Sequence, residues 1–247
     1  MLAVWPPSVK PGLLVLNGGD EFKPGNQPQD RALLAAAARG PAYVVPTAAA
    51  RQGPEQAVTH ARRWFGQMGM DVRELPVLKR TDARSPEVLA MAVEGGFFYL
   101  VGGDPGLVVS VLEGTPVWAA IVRAWAGGAA LAGSSAGAMA LCEATLVRAT
   151  WPDRRQRRPR PALGLLARTA VLPHYDTFGH RWVESARAAA PDLLLLGLDE
   201  RTAAVWDGSW RALGAGAVTV IEGGRALRFE AGQAVPGLPE PAPPEAR

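Results

Sequence analysis

The chain has 247 residues, 48% of them apolar, a formal net charge of +3 and a single cysteine. The apolar share is ample for one sizeable core. No apolar run approaches the ~20 residues that cross a bilayer, and so small a charge does not point to nucleic acid. Cys142 stands alone, which rules out an intramolecular disulfide and a cysteine-based structural zinc site, so a reducing cytoplasm is the expected compartment. Residues 1–10 show neither the basic region nor the apolar stretch of a signal peptide.

Short apolar and β-branched runs alternate with longer helical patterns, which predicts an α/β fold, a three-layer sandwich around a mainly parallel sheet. The first strand is expected at 13–16, ending in Asn17-Gly18-Gly19-Asp20, and a helix capped by Asp30 follows at 30–39. A strand at 42–45 ends in Pro46-Thr47, and the helix at 54–68 opens on a proline, where the missing N–H costs least. Then come a strand at 72–75, a helix capped by Ser85, and a strand at 97–101 ending in Gly102-Gly103-Asp104. A helix at 115–126 leads to a fifth strand at 129–131, which runs into Ala132-Gly133-Ser134-Ser135.

Small and polar residues thus gather at strand ends, where open α/β sheets bind ligands. Further strands are expected at 169–172, 193–198, 203–206, 217–221 and 226–229, as an antiparallel extension of the same sheet, with a helix through 184–189. Residues 1–234 read as a single domain, and the proline-rich stretch 235–247 is expected to be disordered. Arg154, Arg155, Arg157, Arg158 and Arg160 form either a solvated loop or a basic flap that draws acidic substrates toward a nearby site.

The strongest local signal is Gly133-Ser134-Ser135-Ala136-Gly137, a GxSxG pattern between an expected strand and an expected helix. A sharp strand-to-helix turn pushes a hydroxyl outward, and glycine on either side relieves Cβ clashes. The helix from Ala136 aims its N–H groups at a developing oxyanion. Ser135 is therefore the candidate nucleophile, and it needs a base. Of the three histidines, His60 lies in an amphipathic helical segment and His180 inside a later helix, whereas His174 stands at a strand end after Pro173. His174 is the candidate base. The acid that orients it is open among Asp153, Asp176, Asp199 and Glu200, the last two at the rigid end of a core strand. Gly103 is placed to donate a second N–H to an oxyanion.

These pieces, in this order, resemble the peptidase E and cyanophycinase group of serine peptidases, which have the fold of class I glutamine amidotransferases with serine in place of cysteine. The matching segments are Asn17-Gly18-Gly19, Val45-Pro46-Thr47-Ala48, Val101-Gly102-Gly103-Asp104, the elbow through Ala138, Leu163-Gly164-Leu165, Leu172-Pro173-His174-Tyr175 and Gly197-Leu198-Asp199-Glu200. The resemblance implies a triad of Ser135, His174 and Glu200, oxyanion donors at Gly103 and Ala136, and hydrolysis of small peptides. Peptidase E enzymes cleave dipeptides after an N-terminal aspartate, and cyanophycinases cleave aspartate–arginine bonds of a storage polymer.

The chain departs from both patterns. Asp104-Pro105 follows the paired glycines where relatives carry Asn, and Leu172-Pro173 replaces the Asp-Gln pair of cyanophycinases, with only Arg181 nearby. This places it closer to peptidase E. Arg181 is the candidate reader of a substrate carboxylate, and Asp104 either repels an acidic substrate or pairs with Arg181. An α/β-hydrolase esterase shares GxSxG but carries its histidine after the acid, and no histidine follows His180. Serine at the elbow excludes a glutamine amidotransferase. A non-catalytic binding protein on the same fold is the remaining alternative. The expected partner is a small peptide, with a homodimer left open and no nucleic acid, membrane, metal or cofactor implied.

Overall fold

The structure, a computed structural model, describes residues 10–148 and 157–244. The strands of its first half are β1 (Leu14–Asn17), β2 (Ala42–Val45), β3 (Val72–Glu74), β4 (Phe97–Leu100), β5 (Ala130–Ser134) and β6 (Cys142–Arg148). Then follow β7 (Arg157–Pro161), β8 (Leu166–Leu172), β9 (Leu194–Leu198), β10 (Thr202–Trp206), β11 (Trp210–Gly214), β12 (Ala217–Glu222) and β13 (Arg225–Glu230). The helices are α1 (Gln27–Ala36), α2 (Pro54–Gln67), α3 (Pro86–Glu94), α4 (Pro105–Leu112), α5 (Pro116–Ala126), α6 (Ala136–Leu141) and α7 (Val183–Ala189).

The first sheet has the order β11-β10-β1-β5-β4-β2-β3. Its five strands from β1 to β3 run parallel, and β10 and β11 join antiparallel beyond β1. Parallel strands are covered on both faces, so they read as unbroken apolar runs. The alternation in β4 shows how: Phe97 and Tyr99 pack on Leu33 of α1 and Phe65 of α2, while Phe98 and Leu100 face α5 and the second sheet. Helix α2 turns Val58, Ala61 and Phe65 inward, leaving Gln56 and His60 exposed on its outer face.

The later strands do more than extend this sheet. Only β10 and β11 do so; the others build a second sheet of order β13-β12-β9-β8-β6-β7, in which β6, β8 and β9 are parallel. One apolar cluster, with Leu16, Leu100, Leu146, Leu172, Leu196 and Val218 among its members, joins the two sheets.

Four expectations are corrected. Helix α1 starts at Gln27, because Pro28 in its first turn sets the helix there. Asp30 is not a cap: it is buried within the first turn and accepts a hydrogen bond from Trp64 Nε1 at 2.8 Å. Part of the arginine cluster is a strand, since Arg157–Pro161 pairs antiparallel with β6 at the edge of the second sheet, the position where prolines are tolerated; Arg154 and Arg155 lie outside the described residues. The proline-rich stretch is packed over 235–244: Val235 is 2% exposed, and Pro239 and Ala242 bond to Trp210 and Leu165. No single helix among the described residues is long and apolar enough to cross a membrane.

Candidate active site

Sheet register places the candidate nucleophile. In the ladder Asn17 lies opposite Ser134, and Leu100 opposite Gly133, so β5 ends between the ends of β1 and β4. Ser135, the next residue, donates its N–H to the Asn17 carbonyl at 2.9 Å and is flanked by Gly18-Gly19 and Gly102-Gly103. Its backbone, φ 46° and ψ −108°, is strained for a residue with a Cβ, and α6 begins immediately after it. The two glycines of the elbow are required by close approach: a Cβ on Gly133 would meet Gly137 backbone at 2.5 Å, and one on Gly137 the Leu100 carbonyl oxygen at 2.3 Å. Of the adjacent serines, Ser134 is fully buried, and Ser135 lines a cavity of about 350 Å³.

The other half of the site comes from the second sheet. Strands β8 and β9 are parallel neighbours with Leu172 opposite Gly197, so His174 and Glu200 leave adjacent strand ends. His174 donates its backbone N–H to the Gly18 carbonyl at 2.8 Å and adopts φ 50°. Ser135 Oγ lies 3.1 Å from His174 Nε2, and His174 Nδ1 lies 2.8 Å from Glu200 Oε1. With the Nδ1 proton directed to the carboxylate, Nε2 is left to accept the serine proton. Phe178 stacks on the imidazole, ring centroids 4.8 Å apart, and holds its plane. Gly19 gives the ring room, since a Cβ there would sit 2.4 Å from His174 Cε1.

The rival acids are otherwise engaged. Asp199, one residue before Glu200, points to the opposite side, where its Oδ2 accepts from Ala217 N–H at 2.9 Å and from Arg228 at 3.0 Å. Asp176 accepts the Glu200 N–H at 3.0 Å. Asp153 lies outside the described residues. Cys142 is buried, and burial pushes its thiol up to about 12, so it holds little thiolate near neutral pH. Gly103 adopts φ 142° and lines the Ser135 cavity. Among the described residues, neither its N–H nor that of Ala136 has a partner within the chain, leaving both available to an oxyanion.

Asp104 and Arg181 are not brought together. Asp104 caps α4 by accepting the Leu107 N–H at 3.2 Å and lines a neighbouring cavity of about 710 Å³ with Arg51 and Arg157. Arg181 is exposed in a 3₁₀ turn, Gly179–Trp182, and lines neither cavity; Trp182 of that turn packs on the ring of Phe178, centroids 5.5 Å apart. Two ionisable residues of the Ser135 cavity were given no site role by the sequence reading. Glu21 lies four residues beyond β1, and His60 shares an exposed helical face with Gln56. The (i, i+4) polar pair on a helix that starts at the carboxyl end of the sheet was the available signal for the latter.

Two solved structures of similar fold are described as peptidases. A solved structure of a peptidase from an acI-B1 actinobacterium covers 91% of this chain and 96% of its own, with a TM-score of 0.78 and 28% identity. A peptidase E-type protein from Listeria monocytogenes, at TM-score 0.60 and 16% identity, covers 89% of this chain and 98% of its own and shares the fold. A family model described as Peptidase family S51 matches residues 13–211. Cyanophycinases of Trichormus variabilis and Nostoc sp. are each 30% identical over 225 residues, 88% of this chain and 75% of theirs. The chain belongs to peptidase family S51.

Proposed function

We propose that this protein is a serine-type peptidase that hydrolyses small peptides through an acyl-enzyme on Ser135. The observation that carries the reading is the unbroken relay from Ser135 Oγ through the His174 ring to Glu200 Oε1, at 3.1 and 2.8 Å. In this mechanism His174 Nε2 takes the hydroxyl proton as Oγ attacks the scissile carbonyl, and Glu200 stabilises the imidazolium. The N–H groups of Gly103 and Ala136 take up the charge on the carbonyl oxygen. The imidazolium then protonates the leaving amine, and water repeats the sequence to release the acid.

Substrate choice follows from charge. The Ser135 cavity carries Glu21, His60, Gln52 and Gln56, and no lysine or arginine is among its described lining residues. No permanently charged cation there would offset an acidic side chain, so a neutral first residue is preferred. Aspartyl–arginine bonds are the second reading, favoured by the cyanophycinases at 30% identity.

The test is labelling with a fluorophosphonate probe together with kcat/KM for Ala-Leu, Asp-Leu and Asp-Arg. Wild type should be labelled at Ser135 and cleave Ala-Leu at least as well as Asp-Leu, while Ser135→Ala loses label and several orders of magnitude in turnover. Normal turnover by Ser135→Ala would end the serine reading. A dominant Asp-Arg activity would shift the substrate to the second reading.

A further inference from the structure

We propose that Glu21 is a positioning residue, clamping the strand end that carries the Gly103 donor to the turn that carries Ser135. The proposal rests on the serine-peptidase reading above. Glu21 Oε1 accepts the Gly102 N–H at 2.9 Å, and Oε2 accepts the Ser134 hydroxyl at 2.9 Å. These two donors belong to the residues immediately before Gly103 and Ser135. The β4–β5 ladder makes its last pairing at Leu100 and Gly133. Past that rung the Glu21 carboxylate bridges Gly102, two residues beyond Leu100, and Ser134, one beyond Gly133.

The loop that delivers this carboxylate is built for the purpose. Both neighbours of Glu21 have positive φ, Asp20 at 56° and Phe22 at 60°, a region sparsely populated outside glycine. Such conformations persist where the surroundings over-determine them. Here Phe22 packs on Phe65 and Tyr99, with ring centroids 5.8 and 5.1 Å away. The Asn26 amide donates to the carbonyls of Asp20 and Lys23 and accepts from Asn17 Nδ2 at 3.0 Å. Asp20 pairs with Lys23 and with Arg201, next to Glu200. Each of these contacts fixes the backbone on either side of one side chain, whose two oxygens end on the two strand ends of the site.

A clamp acts on the spacing between oxyanion donor and nucleophile, so its loss falls on the transition state. Misplacement of about 1 Å costs on the order of 10²-fold in rate. A glutamine at this position keeps both bonds, its oxygen accepting from Gly102 and its NH₂ donating to the Ser134 hydroxyl oxygen. The experiment compares wild type, E21A, E21Q and S134A. Its readouts are kcat, KM, fluorophosphonate labelling rate and affinity for a peptide boronic acid, which forms a tetrahedral adduct on serine. E21A should lose on the order of 10² in kcat, labelling rate and boronate affinity, with KM nearly unchanged. E21Q should stay within about threefold of wild type, and S134A, which removes one arm of the clamp, should fall between them.

Normal kcat and labelling in E21A overturn the proposal. So does an E21Q as impaired as E21A whose loss lies in KM for peptides with a free amino terminus and spares N-acetylated ones, because the charge of Glu21 would then be reading substrate. Should E21A fail to fold, E21Q and S134A still decide, since normal activity in S134A with a defective E21Q contradicts a clamp. A wild type that the probe leaves unlabelled removes the serine reading along with the clamp, whereas a labelled wild type with an unimpaired E21A removes the clamp alone.

Discussion

Positive φ angles outside glycine are concentrated around one place. Asp20, Phe22, Ser135, His174 and Arg201 all adopt them, and these residues form or adjoin the relay; Arg168 is the other instance among the described residues. Backbone strain of this kind is held where surroundings force it, commonly at sites that do chemistry. Gly19 is the complementary case, a residue kept small so that a strained neighbour has space. At φ 116° it suits glycine, and any Cβ would overlap the His174 imidazole at 2.4 Å from Cε1. Gly19→Ala must therefore push the ring away from Ser135 while leaving the core untouched. The expected result is a fall on the order of 10²-fold in the fluorophosphonate labelling rate, with near-native circular dichroism. An unchanged labelling rate would show that the ring has slack to spare.

At the scale of elements, α1 carries an ionisable group that bears on stability. Burial pushes the Asp30 carboxyl up to about 7; the Trp64 N–H bond opposes the shift and the charge of Glu21 adds to it. In the unfolded chain the group titrates near its ordinary value of about 3.9. Between those two pH values the unfolded chain has released a proton that the folded one retains, so this group lowers stability as pH rises from about 4 to about 7, and the loss levels off above. The slope approaches about 1.4 kcal/mol per pH unit within that window. Asp30→Asn keeps an acceptor for Trp64 and cannot titrate. Its urea midpoint should be flatter with pH than wild type across this window and higher than wild type at pH 8. Parallel curves for the two proteins would remove Asp30 as the cause.

The same scale shows what could be read in advance. The five parallel strands were legible because, buried on both faces, they appear as apolar runs cut by glycine, proline and aspartate. Ser135, His174 and Gly103 could be singled out because each stands just past a strand end, whereas Glu200 was separated from Asp199 only by the family resemblance. Helix α4 escaped because residues 105–112 are apolar nearly all round and lack a 3.6-residue period. Strand β7 escaped because its sequence, Arg-Arg-Pro-Arg-Pro, suits only an edge. Which sheet a strand joins is not written in its own residues, so the division into two sheets was invisible. Glu21 was invisible too, because its two partners lie 81 and 113 positions away in sequence.

Across the whole molecule, the segment after β13 works as a strap. Val235 donates its N–H to Trp210 carbonyl oxygen, Trp210 Nε1 donates to Pro239 carbonyl oxygen, and Ala242 N–H reaches the Leu165 carbonyl just before β8. Trp210 belongs to the first sheet and Leu165 leads into the second, so the strap touches both. Burying a valine contributes about 1.5–3 kcal/mol. Truncation after Gln233 should lower the melting temperature by about 5–10 °C. A truncated protein that melts with the full chain would show that the strap follows the fold without supporting it.

The division of the relay between two sheets also fixes when the enzyme can exist in time. Synthesis delivers Gly103 and Ser135 first, then β8 with His174, then β9 with Glu200, and only afterwards β10, the strand that lies against β1. A chain still emerging from the ribosome up to residue 165 carries Ser135 and Gly103 but neither His174 nor Glu200, the base and acid of the proposed mechanism. Under the proposed mechanism, the nascent chain would gain peptidase activity only once its last third has docked.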